Sequence, residues 1–134
     1  MLFNLITGTR NFLFGNPHIS ATLLDELSHA TDARVRARVA EHENTSLSTL
    51  FRLVQDENAE VRQSIAFNPK TTTTLLQQLA QDSSADVRYL IAEDALVPPA
   101  VLRLLSNDEN PYVAQRALKT LSRLQRLDLV QQAA

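Results

Sequence analysis

The chain has 134 residues, with no cysteine, no tryptophan and only 2 glycines. Without cysteine it has no disulfide, no thiolate nucleophile, no Cys-bound zinc and no Cys-ligated iron–sulfur cluster. That absence fits a reducing, cytoplasmic setting. So little glycine argues against a turn-rich sheet protein and for helices. Neither sign of charge dominates: the formal net charge is −2. Bulk attraction to nucleic acid or to an anionic membrane is therefore disfavoured, leaving only local patches. No apolar run approaches the ~20 residues that cross a bilayer, so no membrane span is expected. Residues 1–16 are rich in Leu and Phe but lack a charged leader and a small-residue cleavage site, which reads against a signal peptide.

Catalytic signatures are missing as well. There is no nucleophile elbow and no glycine-rich phosphate loop or cofactor fingerprint, so no catalytic residue and no cofactor is expected. Adjacent acids such as Asp56-Glu57 and Asp108-Glu109 fall on turns, where they cap and solvate rather than perform acid–base work. Glu26-x-x-His29 has the spacing of a di-iron bundle, but no second such pair exists, and no metal is expected. His18 and His42 read as turn residues.

What the chain does have is hydrophobic content, 44%, and a repeat. Val35-Arg36, Val61-Arg62, Val87-Arg88 and a worn copy, Val113-Ala114, recur at one constant interval. Leu24, Leu50, Leu76 and Leu102 keep the same register, as do Leu27, Leu53, Leu79 and Leu105. So do Val39, Ile65, Ile91 and Ala117. Four copies without insertion or deletion point to a stacked array, because one unit cannot bury its own apolar stripe.

Each copy reads as two short helices. The first follows Ser20, Ser46, Thr72 or Pro98-Pro99, and the second follows Asp32, Asn58, Ser84 or Asn110. Ser, Thr, Asp and Asn are good N-caps, and proline suits a first helical turn. The expected fold is all-α: a right-handed α-solenoid of about four 26-residue two-helix repeats with capping segments. The whole chain, 1–134, is read as one domain. Residues 1–15 form an N-terminal cap or half repeat, and 16–41, 42–67, 68–93 and 94–118 are the repeats. Residues 119–134 extend the last helix as a C-terminal cap, with Leu118, Leu121, Leu124 and Leu127 carrying that helix to about Val130.

The run of Asn68, Pro69, Leu75, Leu76, Leu79, Ala80, Asp82, Val87, Arg88, Ile91 and Ala92 resembles the leucine-rich repeat variant family. More loosely it is similar to HEAT-like repeats. The resemblance spans about residues 16–118; the second copy lacks Asn-Pro, and the fourth lacks both Asn-Pro and the arginine. It implies a right-handed superhelix of short helix pairs, one or both partly 3₁₀. Some family members carry an iron–sulfur module, which a chain without cysteine cannot hold in that form. It also implies that Asp and Arg are tied across repeats.

Two sets of residues are candidates for roles beyond the core. Arg36, Arg62 and Arg88, with Asp56 and Asp82 six residues before the latter two, are expected to form a structural ladder. Arg10 is a candidate extension of it. A buried guanidinium needs such a partner, because an unpaired buried charge is costly. Arg34, Arg36 and Arg38 are spread over different helical faces and read as solvated rather than as a nucleic-acid groove. The most variable columns between copies are Arg34, Glu60, Asp86 and Tyr112, and Ala37, Gln63, Tyr89 and Gln115. They are the candidate partner-binding surface. The expected function is a non-enzymatic scaffold binding another protein or peptide. The alternatives are a nucleic-acid-binding HEAT-like protein, or a homo-oligomer assembled through its terminal segments.

Overall fold

The computed structural model describes residues 14–134, and residues 1–13 of the expected N-terminal cap, with Arg10, Phe3 and Phe12, lie outside the described residues. Among the described residues the fold is all-helical, without strands. The elements are α1 (Ala21–Leu27), α2 (Ala33–Glu41), α3 (Leu47–Leu53), α4 (Ala59–Ala66), α5 (Thr73–Leu79), α6 (Ala85–Glu93), α7 (Pro99–Leu105) and α8 (Pro111–Ala133). All eight are α-helices; the 3₁₀ character that the resemblance implies is not found in them. Helix α8 runs three residues beyond Val130.

The helices start where their caps dictate. Ser20 accepts from the Leu23 amide at 3.1 Å, Asp32 from Arg34 at 2.9 Å, and Asn58 from Glu60 at 2.8 Å. Asn110 accepts from both Tyr112 and Val113. Each such bond satisfies an amide that the helix itself leaves without a partner. Ser84 stands at the N-cap of α6 but makes no side-chain cap bond, and α7 begins instead with Pro99 in its first turn. Seven helices have only 7 to 9 residues. Helices this short are marginal in water and depend on packing.

The chain divides into two compact halves, Met1–Thr71 and Thr72–Ala134. In the first half α2 packs chiefly on α4, and α1 and α3 pack on their second helices. Leu24, Leu50, Leu53, Val35, Val39, Val61 and Ile65 form its core. Burying each such side chain contributes about 1.5–3 kcal/mol. In the second half α6 and α7 pack on α8, around Leu75, Leu79, Val87, Ile91, Leu102, Leu105, Val113 and Ala117. In α5 the fully buried leucines are Leu75 and Leu79; Leu76, in the column of Leu24 and Leu50, is only half-buried.

Polar groups join successive helix pairs within a half. The Asn68 side-chain amide donates to the carbonyls of Ala40 at 2.7 Å and His42 at 2.9 Å, and its oxygen accepts from Lys70. In the second half Thr120 donates to the Ala92 carbonyl at 2.7 Å. Both span 28 residues and close the last turn of a second helix that would otherwise hold an unpaired buried carbonyl. His42 is more than a turn residue. It is buried, its Nδ1 accepts from the Asn44 amide, and its Nε2 faces the Asn16 carbonyl at 3.3 Å, which makes Nε2 the protonated nitrogen.

Candidate binding surface

The recurring arginines sit on the second helices one residue after a buried valine, so each guanidinium lies at the edge of the core. Arg36 donates from Nε and Nη2 to the two oxygens of Asp56, at 2.8 and 3.0 Å. Its Nη1 donates to the carbonyls of Ala30 and Thr31. Arg88 repeats the pattern: Nε and Nη2 to Asp108 at 2.7 and 3.1 Å, and Nη1 to the Asp82 and Ser83 carbonyls. Arg62 Nη1 reaches the Asp56 and Glu57 carbonyls at 2.7 and 3.2 Å. The Asp82 carboxylate accepts from the Ser84 amide.

Arg36 and Arg88 therefore donate to the backbone carbonyl of the residue six positions earlier, and take their two-pronged carboxylate from 20 positions later. This offset accounts for the worn copies. Ala30 serves Arg36 although it has no carboxylate, because only its carbonyl is used. Asp108 has no arginine six residues on, where Ala114 stands, yet it is needed by Arg88. Asp108 was not among the expected ladder residues. Its signal was its place in the column of Asp56 and Asp82, masked by the missing arginine of its own copy.

Electrostatics follow the geometry. The hydrogen bond from Arg88 holds the Asp108 carboxyl below the usual carboxylate range, outweighing burial, and the Asn110 amide adds to it. At Asp56 burial pushes the carboxyl up, but the bonds from Arg36 and the Asn58 amide, with the charges of Arg36 and Arg62, bring it down. The bond to its aspartate raises each of Arg36 and Arg88 above the ordinary arginine value. With their donors spent inside the protein and their side chains 11% and 9% exposed, Arg36 and Arg88 offer little to a ligand.

The columns that differ between copies lie beside these pairs and face outward. In the first half, Arg34, Ala37 and Arg38 of α2 and Glu60 and Gln63 of α4 line a groove of about 410 Å³, with Phe67 exposed on its wall. Arg34 is paired with Asp32 at 3.2 Å, and Arg38 with Glu41 at 3.3 Å. In the second half, Asp86 and Tyr89 of α6 and Tyr112 of α8 line a groove of about 350 Å³. Tyr112 is 74% exposed. Gln115 is exposed but lines neither groove. A third depression, about 390 Å³, surrounds the Arg88–Asp108 pair.

The three residues Arg34, Arg36 and Arg38 do not act together: Arg36 is buried in its ion pair while the other two reach solvent. His29 is exposed, and no group of three or more His, Cys, Asp or Glu among the described residues could hold a metal ion. No described helix is long and apolar enough to cross a membrane. No family of known proteins, no curated protein and no solved structure matches the chain.

Proposed function

We propose that the protein is a non-enzymatic scaffold that binds another protein or peptide along its second helices. In this reading the four helix pairs are repeats of a right-handed α-solenoid, as the resemblance to leucine-rich repeat variant and HEAT-like sequences implies. The carrying observation is the division of labour along each second helix. The valine and arginine columns that agree between copies are buried or hydrogen-bonded inside the protein, whereas seven of the eight residues in the most variable columns line the two grooves. Tyr89 and Tyr112 offer large, rigid contact area with a polar tip, the side-chain type that carries binding energy at protein interfaces. Asp86 beside them, and the alternating charges of Arg34, Arg38 and Glu60, supply orientation.

The test is affinity purification with wild-type protein beside two surface variants, Tyr89→Ala/Tyr112→Ala and Glu60→Arg/Gln63→Arg. Proteins retained by the wild type and lost from a variant of unchanged melting temperature support the reading. A wild type that retains nothing above background, or partners that both variants retain fully, overturns it.

A further inference from the structure

Helix α8 differs from the other helices in length and in charge. Its last buried residue is Thr120, and between there and Ala133 no side chain is buried. Leu121 and Leu124 are half-buried, and from Gln125 to Ala133 every side chain is exposed, a stretch of about 14 Å at 1.5 Å per residue. A helical stretch this exposed is marginal unless something packs on it.

Its charge is segregated. Helix α8 carries four basic residues, Arg116, Lys119, Arg123 and Arg126, against one acid, Asp128. Residues 72–110 of the same half carry two basic and six acidic side chains. The four cations are spaced i, i+3, i+7 and i+10, so they share one face. Arg116 pairs with Glu93 at 3.5 Å. Lys119, Arg123 and Arg126 are exposed and have no ion pair among the described residues, unlike Arg34 and Arg38 of the groove in the first half. Leu127 and Val130 lie one turn beyond Arg123 and Arg126, and are 49% and 68% exposed.

From this we infer that the exposed end of α8 docks an acidic, leucine-bearing helix of a partner protein. The unmatched cations call for carboxylates at matching helical intervals, and Leu127 and Val130 call for an apolar strip between them. Nucleic acid would answer the charges but leave the two aliphatic side chains idle, with no aromatic on this stretch of α8 to stack a base. A second copy pairing through its own α8 would bring two cationic faces together, which costs energy at low salt. The site is separate from the grooves and does not depend on them.

The probe is a synthetic amphipathic helix with Leu at its core positions and Glu at the flanking ones; the same peptide with Lys for Glu is the control. The full chain is expected to bind the Glu peptide, more weakly as salt rises, and to ignore the Lys peptide. Charge reversal, Lys119→Glu/Arg123→Glu/Arg126→Glu, is expected to weaken the Glu peptide by about tenfold or more and create binding to the Lys peptide. Leu127→Ala/Val130→Ala is expected to weaken the Glu peptide without changing its salt dependence. All five positions are exposed, so circular dichroism and melting should stay unchanged. Failure to bind the Glu peptide overturns the inference, as does equal binding of both peptides. Tighter binding to duplex DNA or to phosphatidylserine vesicles does so too, and so does a dimer by light scattering that strengthens with salt.

Discussion

Arg88 grips Asp108 through two parallel hydrogen bonds, Nε to Oδ2 at 2.7 Å and Nη2 to Oδ1 at 3.1 Å. The side chains are 9% and 7% exposed. Arg36 and Asp56, two repeat intervals earlier in the chain, hold the same geometry. Planar bidentate pairing of this kind is stronger than a simple ion pair, and the fork of arginine matches the carboxylate.

Removing one partner leaves the other charged and nearly buried. Arg88→Ala or Asp108→Ala is therefore expected to cost about 3–5 kcal/mol, a loss on the order of 10 °C in melting temperature. The double variant Arg88→Met/Asp108→Leu is expected to recover much of that loss, because it removes both desolvation costs. Calorimetry of the three variants beside the wild type measures the coupling. If the single variants melt with the wild type, the pair does not hold the second half together.

Acid should loosen the protein through the same aspartates. The folded-state carboxyls of Asp56 and Asp108 lie below the usual range, while in the unfolded chain they return to about 3.9. Stability from a depressed carboxyl is present in full above the unfolded value and lost as pH falls through the folded one. The melting temperature should thus hold from neutral pH to about 5 and fall below about 4. Asp108→Asn should start lower at neutral pH and fall less steeply in acid. A parallel acid limb in that variant would assign the loss to other groups.

Asn68 tests the polar links between helix pairs. Its amide satisfies two carbonyls and its oxygen one amide, all at a residue 4% exposed. Asn68→Ala leaves those groups without partners and should cost about 2–3 kcal/mol by denaturant titration. Asn68→Asp should cost at least as much, because it sets a carboxylate against two carbonyl oxygens. The corresponding link in the second half is a single bond, so Thr120→Val should cost only about 1 kcal/mol.

The groove tyrosines should behave in the opposite way. Tyr112 is 74% exposed and Tyr89 is 38% exposed, so neither ring is held in a core. Tyr112→Ala should stay within about 0.5 kcal/mol of wild type. A larger loss at Tyr112 would mark it as a packing residue and weaken its assignment to a binding surface.

Much of the framework was legible in the residues because it rests on local chemistry. A Ser, Thr, Asp or Asn before an apolar run caps a helix whatever surrounds it, so the starts of α1 to α5 follow from position alone. Val35, Val61 and Val87 are buried as their spacing implied, since four-residue intervals place side chains on one face. Less legible was how far a periodic pattern extends: α8 carries three more residues because nothing in 131–133 breaks a helix.

What the amino-acid order determined by itself was periodicity: which positions recur, where helices begin, and which side chains are apolar. Partner choice was left to tertiary structure. The sequence left each arginine two choices, the aspartate six residues earlier or its equivalent in a neighbouring copy; Arg62 and Arg88 donate to the carbonyls of Asp56 and Asp82, and the Asp56 carboxylate accepts from Arg36 of the preceding copy. The carboxylate that Arg88 takes belongs to Asp108, brought close only when α7 packs against α6 and α8. The same holds for the cations of α8. Their number is plain in the sequence, but that Arg116 finds Glu93 while Lys119, Arg123 and Arg126 find no acid among the described residues is decided by which helices reach them. Local signals act over one helical turn; an ion pair forms or fails between residues on different helices, and only the folded chain sets that distance.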